Sequence, residues 1–218
     1  MNRKILFAAV MAAICAVSCQ KMPSKVDADG ECLVYTAHSE NTDFSGYSTF
    51  TIVDSILVIG DNMYSSYLKN SFAAEMVASV KSMMESRGYE YVDLDNKDNA
   101  DLGIQMSYVT DTEHFVGYVG GYSDPWWWLG YPGYWSPGYW GSWNSWYYSY
   151  PVTYSYSTHS LLVDMVDLTA QEGENESLPV LWNCYIDGGV SSGSRYDAML
   201  LENGIEQAFS QSGYLSKN

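Results

Sequence analysis

Apolar and polar positions along the chain switch between two periods. Tyr47, Phe50, Ile52 and Val53 crowd a β-prone run bounded by Gly46 and Asp54. The pattern predicts a strand over Thr49 to Val53, continued at Ile56 to Ile59. Tyr64, Leu68, Phe72, Met76, Val80 and Met83/Met84 then recur at spacings of three and four. That periodicity predicts an amphipathic helix of about six turns, with Asp61 or Asn62 as its N-cap. Arg87-Gly88 ends it, Gly88 in the left-handed position after the helix and Tyr89 packed back on Met84. Tyr89 to Leu94 reads as a strand and Asp95 to Asn99 as a turn. Leu102, Ile104, Met106 and Tyr108 alternate with Gly103, Gln105, Ser107 and Val109, the pattern of a half-buried strand.

The second half repeats the theme. Ser160 to Leu168 is an apolar strand interrupted by Asp164 and Asp167, which fall on opposite faces and so form no acid–base pair by themselves. Their expected role is solvent-facing or edge charge. After a turn over Gln171 to Ser177, Val180, Trp182, Cys184 and Ile186 alternate with their neighbours and complete a hairpin. Ser194 caps a final helix with Ala198, Leu201, Ile205, Ala208 and Phe209 on one face, weakened midway by Gly204. It stops at Ser212-Gly213-Tyr214, in the same Gly-Tyr manner as the first helix. With a β-prone run at Cys32 to Thr36, this order predicts an α+β fold. Two amphipathic helices pack on one face of a largely antiparallel β-sheet, giving two layers.

Between the two halves the pattern breaks. Residues 117–150 form an aromatic, low-complexity insertion rich in Gly, Tyr and Trp. Trp126, Trp127, Trp128, Trp135, Trp140, Trp143 and Trp146 are seven of the eight tryptophans in the chain. From Phe115 to Val163 the only carboxylate is Asp124, and there is no Lys or Arg. One reading makes these rings a contact surface for a glycan, a protein partner or a membrane interface. The other folds the tract over its own sheet. As a connection between two well-patterned strands, it is expected to be dispensable for folding and to be the place where a ligand binds.

The N-terminus carries targeting information. Met-Asn-Arg-Lys precedes thirteen apolar residues, Ile5 to Val17, the layout of a signal peptide over residues 1–18 and too short to span a bilayer. Ala16-Val17-Ser18-Cys19 resembles a bacterial lipobox, which implies acylation at Cys19. Residues 19–30 then read as a flexible tether and 31–216 as a single domain. Gln20, in place of Asp, favours the outer membrane, and the absence of a dense acidic run in the tether favours its periplasmic leaflet. Without Arg3 and Lys4 the chain keeps 8 basic against 26 acidic residues, a net charge of −18. Nucleic acid is thereby excluded as a partner, because its binding needs Lys and Arg to neutralise phosphates.

Candidate chemistry is sparse. Cys32 and Cys184 could pair in an oxidising compartment or serve as small buried hydrophobes. His38, His114 and His159 lack metal-ligand spacing, and no hydrolase elbow occurs. Asp93, Asp95, Asp98 and Asp101 lack the Gly and Glu of a calcium loop and read as a turn. No catalytic residue, metal ligand or cofactor is assigned.

Several short patterns occur in a fixed order. They are Asp43-Phe44 with Tyr47-Ser-Thr-Phe50, Gly88-Tyr89, Ala100-Asp101-Leu102, the aromatic tract, Leu162-Val-Asp164-Met-Val-Asp167 and Leu181-Trp182. Together, over roughly residues 31 to 215, they resemble the bacterial lipoprotein family DUF4136, a domain of unknown function. Cys184-Tyr185 departs from the small residue expected after the Trp. The resemblance implies an envelope lipoprotein with an α+β domain and supplies no catalytic residues. The expected function is a non-enzymatic scaffold or interaction module, attached to the membrane by its lipid. Its partner would be an envelope protein. The alternative is a lipoprotein that binds glycan or cell wall through the tract.

Overall fold

The structure is a computed structural model that describes residues 32–59, 66–110, 137–150, 159–170, 177–187 and 195–217. The strands are β1 (Leu33–His38), β2 (Thr49–Ile59), β3 (Ser66–Leu68), β4 (Glu90–Tyr91), β5 (Leu102–Val109), β6 (Ser145–Tyr148), β7 (Ser160–Asp167) and β8 (Ser177–Asp187). The helices are α1 (Ser71–Ser86) and α2 (Arg195–Gln211). Among the described residues the eight strands join one sheet in the order β1-β8-β7-β5-β2-β3, with β4 beside β2 and β6 beside β8.

The sheet is mixed, which corrects the expectation of a largely antiparallel one. β2 runs parallel to β5 and β4, and β6 runs parallel to β8. The cause is connectivity. Helix α1 lies between β2 and β5, and a helical crossover returns the chain to the end where it began. The β7–β8 hairpin is antiparallel as expected.

Helix α1 begins later than its periodicity suggests. Asn70 is the N-cap, its side-chain oxygen accepting from the Ala73 N–H at 3.0 Å. Leu68 belongs instead to β3, opposite Ile56. Its helical spacing from Phe72 is coincidental, and Asp61, Asn62 and Tyr64 lie outside the described residues. The helix end matches expectation. Gly88 has φ +92°, its N–H donates to the Glu85 carbonyl, and the Tyr89 N–H donates to the Met84 carbonyl. This is a Schellman motif. Gly213 has no left-handed φ, so α2 does not share that cap.

Both helices cover one face of the sheet. Met76, Val80 and Met84 of α1, with Leu201, Ile205 and Phe209 of α2, pack on Phe50, Ile104, Met106, Val163 and Trp182. Gly204, which costs helix propensity, allows this approach: a Cβ there would fall on the Ile186 side chain. None of the described helices is long and apolar enough to cross a membrane.

The other face carries a third layer. Trp140, Trp143, Trp146, Tyr148 and Tyr150 are buried with Val53, Leu57, Val109, Leu162, Val166 and Tyr185. β5 is therefore buried on both faces and not half-buried. The tract is also not wholly a detachable loop, because 145–148 is a strand of the sheet and the rings before it form a second core.

Candidate functional site

Beneath the aromatic layer the sheet carries a polar row. Gln105 on β5 stands opposite Asp164 on β7, which stands opposite Asn183 on β8. Cross-strand partners share a face, so the three side chains line up under the aromatic segment. Asp164 is 3% exposed. The Trp140 indole N–H donates to Gln105 Oε1 at 3.3 Å, and the Tyr148 hydroxyl donates to Asp164 Oδ1 at 3.5 Å. Burial pushes the Asp164 carboxyl up to about 7, against the opposing hydrogen bonds from Gln105 and Tyr148. Nearby, the Ser160 hydroxyl donates to the Tyr185 hydroxyl at 2.8 Å. The hydroxyls of Thr51, Ser55 and Ser107 are buried without a partner. Alternation along β2 and β5 puts them on the same face as the row. Asp164 is thus no solvent-facing or edge charge. The available signal was a lone carboxylate inside the apolar run Leu161-Leu-Val-Asp-Met-Val166.

A second polar cluster ties the sheet together near the other end of β5 and β7. Asp101 Oδ2 accepts from the Ser48 N–H at 2.7 Å and the Thr49 N–H at 3.0 Å. The Asp101 N–H donates in return to the Thr49 hydroxyl at 2.9 Å. Tyr47 donates its hydroxyl to Asp167 Oδ2 at 3.0 Å, and burial first, then the Asp167 charge, raises its phenol. Tyr89 donates its hydroxyl to the Phe44 carbonyl at 3.0 Å. Asp43 caps the short turn Phe44–Gly46 by accepting from the Ser45 N–H. Replacing Asp101 by alanine is expected to cost about 2–3 kcal/mol, because two charge-assisted hydrogen bonds are lost. The urea midpoint measures this, and a loss under about 0.5 kcal/mol would show that the clasp carries no stability.

A family model for DUF4136, "Domain of unknown function (DUF4136)", matches residues 34–213. A crystal structure of a DUF4136 family protein from Bacteroides thetaiotaomicron VPI-5482 is similar, at 43% identity and a TM-score of 0.73. The match covers 87% of this chain and 100% of that one. No curated protein matches.

The chain belongs to the DUF4136 family.

The short patterns that carried the resemblance take identifiable places in this DUF4136 domain. Tyr47, Asp101 and Asp167 hold the β2, β5 and β7 ends together, while Asp43 and Tyr89 fix the Phe44–Gly46 turn that precedes β2. Trp182 is fully buried, donates its indole N–H to the Ser212 hydroxyl at 2.9 Å and lies 5.5 Å from the Phe209 ring. Asp93 accepts from the Asp95 N–H and starts the short helical turn Leu94–Asn99.

The remaining candidates are dispersed. Cys32 and Cys184 are free thiols. Cys184 stands opposite Thr36, four residues along β1 from Cys32, which is about 13 Å of strand. That separation rules out a disulfide in this register. Cys32 donates to the Leu200 carbonyl, and its thiol is pushed up to about 11 by burial, then by Asp187. His38 lies on β1 and stacks on Tyr214 at 3.7 Å. Burial lowers its pKa, partly offset by Glu40. His159 has φ +68° and donates its N–H to the Val109 carbonyl. Among the described residues no three His, Cys, Asp or Glu gather to hold a metal. Trp140, Trp143 and Trp146 are buried, so they offer no exposed contact surface. Cys19, His114, Trp126, Trp127, Trp128 and Trp135 lie outside the described residues.

Proposed function

We propose that this DUF4136 protein is a non-catalytic lipoprotein of the bacterial cell envelope. It is held at the periplasmic leaflet of the outer membrane by lipid on Cys19 and acts as a scaffold or interaction module. The observation that carries the reading is the use of the motif carboxylates. Asp43 and Asp101 spend oxygens on backbone N–H groups, and Asp167 accepts from Tyr47, so these groups hold the fold. The basic start, the apolar run Ile5 to Val17 and Cys19 support the anchor. Residues 20–31 reach about 40 Å when extended, which lets the domain stand clear of the lipid head groups.

Cells fed an alkyne-bearing fatty acid are expected to label the protein, and Cys19→Ala should abolish the label and release the domain from the membrane fraction. Undiminished labelling of Cys19→Ala would refute the anchor. For the scaffold role, cross-linking from membranes should return the same partner reproducibly, and repeated failure to do so counts against it. Glycan binding through the tract is weakened at Trp140, Trp143 and Trp146, which already pack on the sheet. That alternative rests on Trp126, Trp127, Trp128 and Trp135.

A further inference from the structure

We propose that residues 137–150 form a pH-gated cover on the sheet, seated while Asp164 holds its proton and loosened when that carboxyl ionises. The geometry supplies three reasons. First, two polar contacts of the cover converge on the Asp164 row, Tyr148 directly and Trp140 through Gln105. Second, the groups that face Asp164 from the described elements are the Gln105 amide on β5, the Asn183 amide on β8 and the Tyr148 phenol on β6. The Cys184 thiol on β8 is also near enough to feel its charge. None of these is a cation, so an ionised Asp164 under the seated cover has no counter-charge among them. Third, Thr51, Ser55 and Ser107 already bury hydroxyls without partners on that face. Wetting the face would satisfy those groups, which lowers the cost of lifting the cover.

The direction follows from proton linkage. Under the cover the carboxyl is held up at about 7, against an ordinary 3.8, and lifting restores its contact with water. Between those two values the seated state keeps a proton that the lifted state releases. Raising the pH therefore favours lifting, by about tenfold per pH unit from about pH 4 to about pH 7. Above that both states are ionised and the effect is level. The whole change is on the order of a thousandfold.

Hydrogen exchange on the mature protein, corrected for the intrinsic pH dependence of amide exchange, reads the opening directly. The amides of Trp146, Tyr147 and Tyr148 should open about tenfold more per unit from pH 5 to pH 7 and level off by pH 8. Those of Ile104 and Val163 should stay protected. Asp164→Asn keeps the shape and removes the proton, so its opening should be independent of pH. A flat profile in the wild type, an unchanged slope in Asp164→Asn, or equal opening of Ile104 and Val163 would overturn the proposal. If Asp164→Asn does not fold, the carboxyl carbon of Asp164 can be titrated by NMR in the wild type. Titration near pH 7 agrees with the proposal, and titration near pH 4 contradicts it.

Discussion

Trp140→Ala should destabilise the domain by about 3–5 kcal/mol, the range for removing a buried tryptophan ring. Trp140 is 6% exposed and sits against the backbone of β5, where a Cβ added to Gly103 would approach its ring to 2.6 Å. Its indole N–H reaches Gln105, and the Tyr139 ring meets it edge-on at 5.1 Å. Removing it leaves a cavity over the middle of the sheet and strands the Gln105 oxygen. Domains are commonly stable by only about 5–15 kcal/mol, so the loss would be a large fraction of the total. The companion change is Gly103→Ala, which should cost about 1–3 kcal/mol by overpacking in the wild type. It should cost less once Trp140 is alanine, the remaining close contact being the Val166 methyl at 2.9 Å. Urea denaturation of the two single variants and the double variant measures the coupling. Additive losses would mean that the two residues do not touch, and a Trp140→Ala loss below about 1 kcal/mol would mean that its ring lies in solvent.

Trp182→Ala should cost a similar amount, about 3–5 kcal/mol, from the opposite layer. Trp182 is fully buried on β8 and contacts α2 through Phe209. It also donates to the Ser212 hydroxyl, which is itself fully buried just past the helix end. Trp182→Phe separates the two contributions. It keeps a ring but loses the donor to Ser212, whose hydroxyl still accepts from Tyr214 at 3.2 Å. The expected loss is therefore nearer to one hydrogen bond, about 1 kcal/mol, plus the reduced ring volume. Equal losses for Phe and Ala would place all the energy in the hydrogen bond and contradict the packing account.

The helix layer was legible because its signals are local. Met76, Val80 and Met84 share a face at helical spacing, and Gly88 followed by Tyr89 specifies the Schellman end within three residues. The start of α1 was misread because Leu68 fits the same spacing as Phe72, while the deciding feature is the Asn70 side chain reaching Ala73. The parallel pairing of β2 with β5 was hidden because strand direction is a property of the crossover and not of either strand. The second layer was hidden for a related reason. Gly103, Gln105 and Ser107 look like a solvent face until Trp140, at least 33 residues further on, is placed over them. The same cover turns Asp164 from an expected surface charge into a buried carboxyl. Gly204 looks like a flaw in α2 until Ile186 is seen beneath it. In each case the meaning of a small or polar residue was set by a partner distant in sequence.

The end of the aromatic tract is a layer of the fold, docked through β6. Ser145 and Ser177 face each other across the parallel β6–β8 pair, with their hydroxyl oxygens 2.5 Å apart. Cysteines placed at both positions, in a Cys32→Ser and Cys184→Ala background, therefore test the docking directly. Under mild oxidation at neutral pH, where thiolate is present to react, an intramolecular disulfide is expected to form almost completely, with no loss of cooperative unfolding. Two thiols that stay free and react with maleimide in the folded protein would contradict it.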